Sequence, residues 1–144
     1  MENEKTEAEN KSRVNIYTKI QHMRVKLLEL NLKKTGHNRY AGFSYYTLED
    51  ITPAINKLLL KYKLVSIISF SDQIGTLTLL DIENPEEKIS FQVPVREAEQ
   101  KGCNNVQNLG ATITYLRRYL YLIAFDIVEY DTFDAVVGRP VQQK

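Results

Sequence analysis

Apolar residues near the start of the chain fall at helical intervals. Between Val14 and Leu32, Ile16, Ile20, Met23, Leu27 and Leu30 recur at steps of four, three, four and three, which aligns them on one face of an α-helix. Lys19 and Lys26 fall away from that stripe and Arg24 borders it. The period breaks at Thr35-Gly36-His37-Asn38, a turn signature. Its flanks, Leu32-Lys33-Lys34 and the aromatic run from Arg39 to Tyr46, predict a β-hairpin. Phe43 and Tyr45 then share one strand face, and Tyr40 and Tyr46 the other.

Thr47-Leu48-Glu49-Asp50 has the form of a helix start, with Thr47 as N-cap and acids in the first turn. Pro53 is compatible only with a position near that start. Ile55, Leu58, Leu59 and Tyr62 make the second helix amphipathic, to an end near Lys63. The periodicity then turns β-like. Leu64–Phe70 and Thr76–Asp81 flank a turn at Ser71–Gly75, and Asn84–Glu87 leads into the alternating Ile89–Val93. Such a meander needs a helix over its apolar face. Residues 94–104 are polar and predict a mobile loop. A final helix is predicted from about Asn105 to Phe125, with Val106, Leu109, Ile113, Leu116, Leu120 and Ile123 as its apolar stripe. The fold class expected is α+β: an antiparallel β-meander and a hairpin packed against helices, in one domain over residues 13–135, with tails at 1–12 and 136–144.

Composition adds little to this picture, but the placement of charge adds much. The 144 residues carry a net charge of only +1. Yet Lys11, Arg13, Lys19, Arg24, Lys26, Lys33, Lys34 and Arg39 lie between positions 11 and 46 with only Glu29 against them. Lys101, Arg117 and Arg118 make a second basic block, and Asp126, Glu129, Asp131 and Asp134 follow as an acidic one. Separated basic blocks suit a polyanion surface, although solvated faces give the same pattern. The acidic start is unlike a signal peptide, no apolar run reaches membrane length, and Cys103 is the single cysteine. A cytoplasmic protein without membrane contact is expected.

The polar side of the last helix holds Asn104, Gln107, Ala111, Thr114 and Arg118 at steps of three and four, with Arg117 and Tyr121 on an adjacent row. Guanidinium forks, neutral donors and small residues are what phosphate binding requires. Gly110 costs helix stability of roughly 1 kcal/mol relative to Ala. It permits either close approach of a phosphate backbone or close helix packing. Tyr40 or Tyr45 beside Lys33, Lys34 and Arg39 suits stacking on unpaired bases, or simply packing in the sheet. The four acids raise a metal-dependent nuclease as a rival, but no histidine at ligand spacing joins them. A phosphate-cradling glycine loop is absent, which speaks against an ATPase. A non-catalytic module docking an acidic protein is the second rival.

The segment Gln107-Asn-Leu-Gly110-Ala-Thr-Ile-Thr114-Tyr-Leu-Arg117-Arg118-Tyr-Leu resembles the "GAxITYxRRYxL" core of the ERF superfamily of phage single-strand annealing proteins. The stretch Asn38-Arg-Tyr40-Ala-Gly42-Phe-Ser-Tyr45-Tyr46 through Leu48-Glu-Asp50 is similar to that family's "FxYxxLxD" segment. The stretch from Asp126 to Asp134 stands where the family carries a run of acids; here Asp131 and Asp134 are spaced apart. The resemblance spans about Val14 to Ala135. It implies a meander flanked by helices, similar to eukaryotic annealing proteins. It also implies homo-oligomeric rings or helical filaments, and binding of single-stranded DNA and an annealed duplex intermediate. Together with the charge pattern it predicts a DNA-binding set of Lys33, Lys34, Arg39, Tyr40, Tyr45, Lys101, Asn104, Gln107, Thr114, Arg117 and Arg118. No enzyme activity, metal or cofactor is expected.

Overall fold

A computed structural model describes residues 14–40, 42–96 and 104–129. The tails expected at 1–12 and 136–144, most of the loop expected at 94–104, and Lys101, Cys103, Asp131 and Asp134 lie outside the described residues. The elements in chain order are α1 (Ile16–Leu30), β1 (Gly36–Asn38), β2 (Phe43–Tyr45), α2 (Leu48–Tyr62), β3 (Leu64–Phe70), β4 (Ile74–Asp81), β5 (Lys88–Pro94) and α3 (Asn105–Ala124). This is the expected α+β arrangement: an antiparallel meander in the order β3-β4-β5, a separate two-stranded hairpin, and helices packed against the sheet.

Local chemistry sets the helix ends. Asn15 caps α1 by accepting from the Thr18 N–H at 2.9 Å. Thr47 and Asp50 form a reciprocal capping box on α2, each side chain accepting from the other's backbone N–H. Asp50 also accepts from the Thr35 N–H at 2.9 Å and the Thr35 hydroxyl at 2.7 Å, which ties the start of the hairpin to the start of α2. Burial alone would raise the Asp50 pKa, but the bonds with Thr35 and Thr47 outweigh it and hold the carboxyl below its ordinary value. Asn31 and Lys63 end α1 and α2 in the left-handed conformation. Pro53 lies inside α2 rather than at its first position.

The core is the meeting of the three helices with one face of the meander. Ile16, Ile20, Met23 and Leu27 of α1, Ile51, Ile55 and Leu59 of α2, and Leu64, Leu77 and Leu79 of the sheet are buried together with Leu120, Tyr121, Leu122, Ala124 and Phe125. Each large apolar side chain buried here contributes about 1.5–3 kcal/mol. The alternation along β4 places Leu77, Leu79 and Asp81 inward and Thr76, Thr78 and Leu80 outward. On the outward face, the Thr78 and Ser90 hydroxyls share a hydrogen bond of 3.0 Å across β4 and β5.

Three expectations need correction. Leu30 is exposed, because α1 stops there and Asn31 turns the chain away. The apolar stripe of α3 was misplaced: Val106, Leu109 and Ile123 are 78%, 60% and 48% exposed, while Tyr121, expected on the polar side, is buried. The inward face runs through Thr112, Leu116 and Leu120, and only the second half of the helix is enclosed. The hairpin turn is also displaced. Thr35–Asn38 is not the turn; Gly36, His37 and Asn38 form β1, pairing with Tyr45, Ser44 and Phe43. The Gly36 signal has a different cause, since a Cβ there would collide with the Tyr45 ring. The turn instead begins at Asn38, whose Oδ1 accepts from the Tyr40 N–H at 3.0 Å. It ends at Gly42, with φ at 69° and its N–H donating to the Asn38 carbonyl at 2.9 Å. Tyr40 therefore belongs to the turn and shares no strand face with Tyr46.

Candidate nucleic-acid interface

Folding sorts the basic residues into two groups. Three members of the first basic block are paired within the fold, Lys19 and Arg24 where they are at least partly buried and Lys26 at the surface. Lys19 is 5% exposed, with its Nζ 2.8 Å from Asp81 Oδ2 and 3.1 Å from Glu83 Oε1. Arg24 donates from Nε and Nη2 to the Ala124 carbonyl at 3.2 and 3.0 Å. It thereby satisfies an orphan acceptor at the end of α3. Lys26 pairs with Glu29 one turn along its own helix at 3.3 Å. The acids that oppose Lys19 come from the end of β4 and its turn, so the apparent excess of positive charge in this block is partly cancelled across the fold.

Among the described residues of this block, Lys33, Lys34 and Arg39 remain, and Lys11 and Arg13 lie outside the described residues. Lys33 and Arg39 are exposed, and among the described residues no ion pair engages either. Lys34 Nζ stands over the Tyr46 ring, 5.3 Å from its centroid. Arg39 lies in the hairpin turn, next to the fully exposed Tyr40. His37, Asn38, Arg39, Tyr40 and Tyr45 line an open concavity of about 300 Å³. One ring of that concavity is held in place, since Tyr45 covers Gly36, and the other stands in solvent.

On α3 the two adjacent arginines have different surroundings. Arg117 is half-buried as a residue, and among the described residues its guanidinium has no hydrogen bond or ion pair. Arg118 is enclosed, its side chain 12% exposed. Its Nη1 donates to Glu129 Oε1 at 2.7 Å and approaches the Tyr46 carbonyl at 3.5 Å. The guanidinium carbon sits 5.0 Å from the Tyr45 ring centroid and 4.8 Å from that of Tyr119. Tyr119 shares a hydroxyl hydrogen bond of 3.1 Å with Tyr115. Burial and that bond push its pKa up to about 12, against the opposing charge of Arg118. Glu129 Oε2 also accepts from the Tyr46 N–H at 2.7 Å.

Asn104 and Gln107 have structural work of their own. They form the capping box of α3, with the Asn104 N–H donating to Gln107 Oε1 and the Gln107 N–H to Asn104 Oδ1, both at 2.9 Å. Their oxygens are thus occupied, and the sequence signal that could have shown this was the three-residue spacing. Thr114 is exposed on the helix. At Gly110 a Cβ would meet nothing within 4 Å, so no packing inside the described chain requires the glycine. The structure thus brings Tyr45 and Arg118 together, leaves Arg39, Tyr40, Lys33 and Thr114 open to solvent, and leaves Lys101 outside the described residues.

Sequence reasoning missed Glu129 as the partner of both Arg118 and the hairpin backbone. In the sequence the acid stands only as a possible metal ligand, and no local pattern reveals its contact with Tyr46, 83 residues away. Among the described residues, no group of three or more His, Cys, Asp or Glu side chains could hold a metal ion. No helix of the described residues is long and apolar enough to cross a membrane.

No curated protein and no solved structure matches the chain. A family model does: that of the ERF superfamily, over residues 16–143, which takes in the hairpin, α3 and the acidic segment alike. With nearly the whole of its length matched, the chain belongs to the ERF superfamily.

Proposed function

We propose that this protein binds single-stranded DNA on the hairpin and the adjoining part of α3. Acting as an oligomer, a ring or a helical filament, it anneals complementary strands in homologous recombination. It needs neither ATP nor a covalent step, because annealing requires only neutralised phosphates, unpaired bases and two strands brought close. The observation that carries this reading is Tyr40, fully exposed beside Arg39 at the mouth of the hairpin concavity. An exposed ring next to a guanidinium suits stacking on a base together with neutralisation of its phosphate.

In this reading Lys33, Lys34, Arg39 and Arg117 neutralise phosphates, joined by Lys101. Thr114 adds a neutral contact on α3, as do the amide groups of Asn104 and Gln107. Tyr40 stacks on a base and Tyr45 forms the wall beside it. Arg118 acts from behind Tyr45, since its guanidinium is already engaged by Glu129. Membership of the ERF superfamily supports the assignment, because the resemblance through Gly110–Tyr119 ties this family to phage annealing proteins. The protein works in the cytoplasm, in contact with single strands, the annealed duplex intermediate and further copies of itself.

Two complementary oligonucleotides carrying a fluorescence donor and an acceptor test the proposal directly. Addition of the protein without nucleotide accelerates the rise of energy transfer, and fluorescence anisotropy shows binding to either strand alone that weakens steeply with salt. Absence of single-strand binding at low salt refutes the reading. Magnesium-dependent shortening of the strands favours a nuclease instead.

A further inference from the structure

Glu129 is where the hairpin, α3 and the segment beyond α3 meet. One carboxylate oxygen accepts from the Tyr46 N–H at 2.7 Å, and the other from Arg118 Nη1 at 2.7 Å. Arg118 lies over the Tyr45 ring, which covers Gly36 on the opposite strand and lines the concavity beside Arg39 and Tyr40. The hairpin itself has only three residue pairs. A two-stranded sheet of that size is marginal in water and cannot fix its own position. Its attachments are therefore decisive: Asp50 holds Thr35 before the first strand, and Glu129 holds Tyr46 after the second.

We propose that Glu129 is a positioning residue. It fastens the aromatic hairpin to α3 and so sets the hairpin's affinity for single-stranded nucleic acid without touching the strand. The proposal rests on the reading of the hairpin as a single-strand binding surface. Two features favour it over a direct or inhibitory role. Both carboxylate oxygens are already engaged, one by the Tyr46 backbone N–H and the other by the Arg118 guanidinium. The guanidinium that Glu129 holds is enclosed between two rings rather than open to an incoming phosphate.

The sign of one substitution separates positioning from simple electrostatics. Glu129→Gln removes a negative charge from the neighbourhood of a polyanion, so electrostatics alone predicts tighter binding. Gln has only one oxygen with which to accept both bonds, so positioning predicts weaker binding. The expected result is a loss of about ten-fold in affinity for a fluorescein-labelled oligothymidine, the order of one lost charge-assisted hydrogen bond. The slope of affinity against salt stays the same, because no phosphate contact is removed. Amide exchange at Tyr46 accelerates and the thermal midpoint falls, while the amides of β3–β5 hold. Glu129→Asp keeps the charge but shortens the reach, and is expected to weaken binding in the same way. Affinity that is unchanged or increased in both variants overturns the proposal, and so does loss of affinity accompanied by a shallower salt slope. A wild-type protein that ignores the oligothymidine overturns the underlying reading as well, and is recognised because it fails before any variant is made.

Discussion

Lys19 and Asp81 form a buried ion pair, Nζ to Oδ2 at 2.8 Å, that fastens α1 to the end of the central strand of the meander. Asp81 is fully buried, and its Oδ1 accepts from the backbone N–H groups of Glu83 at 2.9 Å and Asn84 at 3.3 Å. The carboxylate thus shapes the turn after β4 while it holds the helix.

Lys19→Met leaves that carboxylate buried without its cation. The expected cost is about 3–5 kcal/mol, against less than about 1 kcal/mol for Lys26→Met, whose pair with Glu29 is exposed. Urea denaturation of both variants measures the difference. Equal effects would show that the buried pair carries no special weight.

The same groups set the pH response. Burial would raise the Asp81 pKa, but the Lys19 and backbone bonds dominate and lower it, and Asp50 is lowered likewise by its Thr35 and Thr47 bonds. The unfolded chain therefore takes up these protons first. Their stabilisation is full above about pH 4 and is lost as the pH falls from there through the folded-state values. Lys19 shifts the other way: burial alone would lower its pKa, but Asp81 and Glu83 raise it. Its contribution is intact below about pH 10.5 and lost only as the pH rises beyond that. Thermal melts across pH should show a plateau between those limits, with an acid limb that Asp50→Asn makes shallower.

Arg117 and Arg118 should respond differently to truncation. Arg117→Ala is expected to weaken oligonucleotide binding and to flatten the plot of log affinity against log salt by about 0.7, the signature of one lost single-strand phosphate contact. Arg118→Ala leaves Glu129 unpaired, so it lowers stability and weakens binding with the slope unchanged. Anisotropy titrations over a series of salt concentrations distinguish the two.

Tyr40→Ala removes a ring that touches solvent on all sides, so stability should stay within about 0.5 kcal/mol of wild type. Binding should fall by about 1–3 kcal/mol if the ring stacks on a base. Quenching of tyrosine fluorescence by oligothymidine should diminish in parallel.

Gly110→Ala fills open space on the exposed side of α3. It should therefore raise stability by up to ~1 kcal/mol. Lower affinity for DNA in the more stable variant would place the strand's backbone against this position; unchanged affinity would leave Gly110 without a binding role.

The sequence by itself determined the order and kind of elements from α1 to α3. Hydrophobic period, capping residues and turn chemistry are local, and α2 and β3 lie where Thr47, Lys63 and Leu64–Phe70 predicted. Sequence also determined family membership, through the Gly110–Tyr119 and Phe43–Asp50 segments. It misjudged the face of α3, because Val106, Leu109 and Ile123 have the right period but only the second half of the helix is enclosed. It misplaced the hairpin turn, because a glycine needed under the Tyr45 ring looks the same in sequence as a glycine needed for a bend.

Only the tertiary structure decided which charges are free. Lys19, Arg24 and Arg118 read as available cations, yet the fold gives them to Asp81, the Ala124 carbonyl and Glu129. Electrostatic pairing depends on distance in space, and burial strengthens it by excluding water. Neither quantity can be read from spacing along the chain. Among the described residues of the two basic blocks, the surface left after that pairing is smaller than the sequence suggested, and it lies around Lys33, Lys34, Arg39 and Arg117, beside Tyr40.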